Sequence, residues 1–155
     1  MALVEFALVL PLLMLLLLGM VDFGKAFTMW IDETHLANSA ARYAAVNSAP
    51  TSGCSGCLES DIENQADTQE LKNSFGDPGN GVCITFPSGT GAKGDSVRVV
   101  VTGKAQFFSF LTGFVPGLDG AGKKTLHASS TMRIEKDYDP VDPSKNTYTA
   151  QPSCP

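Results

Sequence analysis

The chain reads as an α+β protein: one long N-terminal helix whose first part crosses a membrane, followed by a small globular head built on an antiparallel β-sheet. Three observations carry this reading. An almost unbroken apolar run extends from Ala2 to Val21. Apolar and small residues then keep helical spacing through Phe23, Phe27, Trp30, Leu36, Ala40, Tyr43, Ala44 and Val46. Three stretches beyond residue 81 have the composition and alternation of strands.

About 20 apolar residues at roughly 1.5 Å each match the hydrocarbon thickness of a bilayer. Polar character resumes at Asp22 and Lys25. A secretory signal would open with a basic region and close on small residues, a pattern not seen before Phe6. Pro11 lacks the N–H that would bond Ala7, and Gly19 lowers the cost of unwinding, so a kink or local opening is expected in this part. The helix is expected to run to about residue 48, roughly 70 Å in all, where Ser48, Ala49, Pro50, Thr51, Ser52 and Gly53 form a terminating stretch. Residues 1–25 lie in the membrane on this reading. Residues 26–49 pack on the head, where Ala37, Ala40, Ala41, Ala44 and Ala45 allow close approach of a sheet or another helix.

The head is expected over residues 50–136. Leu58, Ile62, Ala66, Leu71 and Phe75 give helical spacing over Leu58–Phe75, and Asp77-Pro78-Gly79-Asn80-Gly81 is a turn. Strands are expected at Val82–Phe86, Ser96–Gln106 and Leu126–Glu135. The apolar segment from Phe107 to Pro116 is too short to span a bilayer and is expected to be buried within or between subunits. Residues 137–155, rich in Pro, Asp, Ser and Thr, read as an irregular tail.

Glu5 is the only charge inside the apolar run. An ionised carboxylate in such surroundings costs several kcal/mol unless it is paired, and the nearest candidate partner is the amine of Met1. The net charge of -5 and the scattered Lys and Arg argue against a nucleic-acid partner. Four cysteines, an even number in an exported chain, read as disulfides that staple a modest core. The favoured connectivity takes the close pair Cys54 and Cys57 outward to Cys83 and Cys154, tethering the tail; a local Cys54–Cys57 bridge is its main rival. A zinc site would need a second close pair, and a thioredoxin-type motif should open a helix after a parallel strand. His35 and His127 have no acid and nucleophile at useful spacing. Asp137, Asp139 and Asp142 offer hard oxygen ligands for calcium, but without the EF-hand pattern they read as a solvated acidic tail. No catalytic residue, metal or cofactor is expected.

The residues from Met1 to Leu13, with Glu5 and Pro11, followed by Gly19-Met20-Val21-Asp22-Phe23-Gly24-Lys25-Ala26-Phe27, resemble the N-terminal signature of TadE-like pilins. These are pilins and pseudopilins of tight-adherence systems within the type IV pilus superfamily. The similarity continues through Ala40-Ala41-Arg42-Tyr43-Ala44-Ala45-Val46 and returns more loosely at Val97–Phe114 and Leu126–Glu135. The resemblance implies a single-span precursor with its N-terminus on the cytoplasmic side, cut by a prepilin peptidase so that Glu5 stands at mature position five and Met1 is the first mature residue. It also implies extraction from the membrane into an extracellular homo- or hetero-polymer whose core is the N-terminal helix. Met1 and Glu5 would then set axial register, and Pro11 and Gly19 would let the helix bend as it packs. The expected function is that of a structural subunit, a pilin or minor pseudopilin, serving adhesion or secretion. The alternatives are a monomeric membrane-anchored binding domain and, less favoured, an anchored thiol-disulfide protein using Cys54 and Cys57.

Overall fold

The computed structural model describes residues 2–51, 56–107, 117–119, 121–139 and 142–154. Helix α1 spans Ala2–Ala45, α2 Leu58–Asn64 and α3 Gln69–Ser74; strands β1, β2 and β3 span Gly81–Thr85, Ser96–Gln106 and Lys123–Arg133. The strands form one antiparallel sheet in the order β1-β2-β3, and the outer half of α1 lies across β2 and β3. The fold is therefore the long helix plus small antiparallel sheet expected from the patterning.

Strand alternation decides which residues meet the helix. Val97, Val99, Val101 and Ala105 of β2 are buried, and Gly103 in the same series faces Met29 and Glu33 of α1. Register places Val82 and Ile84 of β1, and Leu126 and Ala128 of β3, on this inner face. Opposite them, α1 contributes Met29, Leu36, Ala37, Ala40, Ala41 and Ala44, all essentially without exposure. Methyl side chains let the helix backbone come close to the sheet, and the larger Val and Ile side chains of the strands fill the space. Leu58 and Ile62 of α2 and Leu71 of α3 close the same core.

Several expectations change in detail. The single helix expected over Leu58–Phe75 is divided into α2 and α3 by residues 65–68, because the start of the second piece is bonded to a side chain of α1 rather than to the preceding turn. The third strand begins three residues earlier than expected, at Lys123, since it pairs with β2 along the whole of both strands. Of the apolar segment 107–116 only Phe107, which is partly buried against the core, lies within the described residues.

The tail is more ordered than its composition implies. After a 3-10 turn at Pro143–Lys145 it returns beside β1, where Ala150 bridges Ile84 in parallel and the Gln151 N–H donates to the Ile84 carbonyl at 2.7 Å. This return brings Cys154 to the outer face of the edge strand, and Cys83 is disulfide-bonded to Cys154 with 5.8 Å between Cα atoms. The expected pairing of Cys54 and Cys57 with these two cysteines is thereby corrected: the tail follows β1, so the nearest thiol to Cys154 is on β1. Cys57, at the N-cap of α2, is also disulfide-bonded, and Cys54 lies outside the described residues.

The Cys83–Cys154 bridge closes a loop with a sequence separation of 71. Replacing both cysteines by serine is expected to lower stability by about 3 kcal/mol. Guanidinium denaturation of the full chain in detergent checks the loss, and faster proteolysis within 142–154 checks that the tail is what comes free.

Candidate functional site

Two parts of α1 have features that a solitary globular domain does not need. The first is its inner end. Every residue from Leu3 to Leu18 is exposed on the chain, with Leu3 at 84% and Leu8 at 76%. This is one helix long and apolar enough to cross a membrane, and none of its apolar surface is covered by the head. Glu5 lies within this surface and is itself exposed. Among the described residues nothing bonds it, and Met1, its expected partner, lies outside them. The helix continues through Pro11 and Gly19, and around Gly19 there is open space where a side chain would be.

The second is the junction with the head, where hydrophobicity alone picks the wrong side of the helix. Phe23, Phe27 and Trp30, which keep the helical spacing in the sequence, are 72%, 50% and 47% exposed. Phe23 stacks on Phe27 at 6.4 Å and Trp30 tilts against Phe27 at 6.1 Å; with Ala26, Phe107 and Leu126 they line an apolar groove of about 490 Å³. The core-facing stripe is instead Asp22, Met29, Asp32, Glu33 and Leu36. The spacing of Met29, Leu36 and the alanines fixes the buried side, and the three carboxylates fall on it by helical period.

Each of these acids has a different environment. Asp22 is buried and has an interaction partner. Asp32 accepts hydrogen bonds from the Asp67 N–H at 3.1 Å, the Thr68 N–H at 2.9 Å and the Thr68 hydroxyl at 2.8 Å. It thus holds the two residues that lead into α3, whose N-cap residue, Thr68, makes no cap bond with its own side chain. Glu33 has no exposure, and neither of its carboxylate oxygens has a hydrogen-bond partner. Burial first, and the charge of Asp32 second, push its carboxyl up to about 8.

The outer end of α1 is closed by a residue that the sequence reading passed over. Asn47 adopts φ of 45°, the Asn47 N–H donates to Ala44 at 3.1 Å, and the Ser48 N–H donates to Tyr43 at 3.0 Å. This is a Schellman ending with Asn in the left-handed position. The buried Asn47 side chain then binds the tail: its amide donates to the Asn146 side chain and the Asp137 carbonyl, and its oxygen accepts from the Thr147 N–H and hydroxyl. The free carbonyl of Ala45 accepts from Glu135 and Lys136, directly after β3. The only available signal was an Asn just past the last helical repeat, which the following Pro50 overshadowed.

The remaining candidates disperse. His35 is exposed on α1, while His127 is on the outer face of the sheet and pairs with Thr102 at 3.1 Å. Asp139 and Asp142 bond Lys145, and Asp137 accepts from the Lys93 N–H. Among the described residues no group of His, Cys, Asp and Glu is arranged to hold a metal ion.

Residues 1–45 match the family model described as TadE-like protein. The N-terminal helix is TadE-like. The match stops at Ala45, the last residue of α1 and the start of the Schellman ending, so it covers the helix and leaves the head outside it. No curated protein and no solved structure matches the chain. The TadE-like segment accordingly holds both parts just described: the uncovered apolar end with Glu5, and the acidic and alanine stripe that seats the head.

Asn47→Ala is expected to cost about 2–4 kcal/mol, combining the left-handed backbone with orphaned partners in the tail; Asn47→Gly should recover only the backbone part, about 1 kcal/mol. Chemical denaturation of the three chains distinguishes the contributions. Asp32→Asn is expected to cost about 1–3 kcal/mol, and hydrogen exchange should show that the loss is concentrated in residues 67–74.

Proposed function

We propose that this chain is a structural subunit of a tight-adherence type of pilus, a pilin or minor pseudopilin, and not an enzyme. The observation that carries the reading is the helix surface from Leu3 to Leu18, wholly exposed on the subunit and broken by a single carboxylate at Glu5. Apolar surface of that extent requires either lipid or protein around it. Before assembly the bilayer covers it, with the N-terminus on the cytoplasmic side and the head outside. After processing by a prepilin peptidase, the same surface packs against the helices of neighbouring copies or other pilins in an extracellular filament. The TadE-like match of this segment supports the reading.

Glu5 gives the assembly its register. Uniform apolar helices can slide along one another at little cost, whereas a carboxylate left unpaired in their shared core costs several kcal/mol. Pairing it with a cationic group of the same or a neighbouring subunit, such as the amine of a processed N-terminus, removes that cost at one axial offset only. Pro11 and Gly19 fit this transfer, since one has no N–H to lose and the other no side chain to displace when the helix bends. The head, joined through the alanine stripe and the Asn47 junction, is carried to the filament surface for adhesion or secretion.

Glu5→Ala is expected to insert into the membrane normally and to abolish filaments in sheared surface material viewed by electron microscopy. Filaments of normal yield from this variant would exclude the register role. A native chain that stays in the membrane fraction, with no filament under any condition, would point to a monomeric anchored domain.

A further inference from the structure

We propose that Glu33 is a proton-linked clasp between α1 and the head: with the carboxyl protonated the sheet closes over it, and loss of that proton opens the helix–sheet interface. Glu33 lies 12 residues beyond Val21, about 18 Å along the helix from the end of the apolar run, so the head and not lipid surrounds it. It has no exposure, and both oxygens lack a hydrogen-bond donor. The position a Cβ of Gly103 would take is 2.6 Å from Glu33 Oε1, Leu71 Cδ1 and Met29 Cε alike. The carboxyl therefore lies close to the β2 backbone at a place where no side chain fits, with the ends of two apolar side chains beside it. A carboxylate in such a place is strongly disfavoured, and a neutral carboxyl much less so.

Among the described residues no facing group offsets that cost. On α1 the adjacent charge is Asp32, which repels an ionised Glu33 while its own oxygens serve Asp67 and Thr68. On α3 the contact is Leu71; Glu70 lines a different cleft with Lys104 and Lys123, and Lys72 is exposed. On β2 the contact is Gly103, and Lys104 follows on the opposite face. On β3 the residue paired with Gly103 is Leu126; His127 is on the outer face with Thr102, and Lys124 has a partner of its own.

The consequence is a defined pH dependence. The closed interface holds a proton that the open one releases, so the opening constant rises about tenfold per pH unit between the ordinary carboxyl value of 4.5 and about 8, and then levels off. The contribution of Glu33 to closure is thus fully present below pH 4.5 and is lost as pH climbs toward 8. This ties the grip of the head on its helix to the pH of the compartment that the head faces.

Hydrogen exchange of the full chain in detergent micelles, corrected for the intrinsic pH dependence of amide exchange, tests this at the β2 amides from Val99 to Ala105. Opening is expected to increase by about 50-fold from pH 6 to pH 8 in the native chain, the closed-state carboxyl being half ionised at the upper end, and to stay level in Glu33→Gln. Should the glutamine variant fail to fold, the 13C shift of the native Glu33 carboxyl gives the answer alone: a midpoint well above the ordinary glutamate range supports the clasp. An ordinary midpoint, or a native opening constant that is independent of pH, overturns it.

Discussion

The whole architecture depends on how closely one helix lies on one sheet. Along the outer half of α1 the buried positions are mostly Ala, and the strands below supply Val, Ile and, at one crossing, no side chain at all. Small against large gives dense packing without voids, and with it the dispersion and burial terms that hold a head of this size. Because the same helix continues into the apolar run, the head is carried on an extension of the element that forms its own core. The chain is in effect a rod with a cap clipped to its outer half.

Three acids placed on the packed stripe show that the interface is not designed for stability alone. Asp32 is the constructive case: a carboxylate from α1 gathers the start of α3 and so fastens a third element onto the helix. Glu33 is the opposite case, buried with nothing to bond. An apolar residue of the same size would hold the head more firmly, since burying an unpaired ionisable group destabilises. The presence of the group at the point of closest approach is what gives the interface a chemical variable to respond to.

The tail solves a separate problem. A three-stranded sheet has two edges, and β1 is short. The returning chain pairs with it at Ile84, is covalently fixed at Cys83, and is tied to the end of α1 through Asn47. Residues 146–154 thus join the first helix to the first strand. Such long-range closure constrains the unfolded chain most, which suits a small core.

Much of this was legible in the residues themselves. The apolar run with its one carboxylate, the alanine stripe, the alternation of Ser96–Gln106 and the α+β class all follow from local periodicity, because period and polarity are properties of neighbouring residues. The resemblance of the first helix to TadE-like proteins was visible for the same reason. What only the tertiary structure decided were the matters that depend on residues far apart in the chain: that Glu33 meets Gly103, that Cys154 meets Cys83, that Asp32 holds the start of α3, and that Asn47 joins the tail. In each, the partner is distant in sequence, and no local pattern encodes a distance that exists only after the chain has closed on itself.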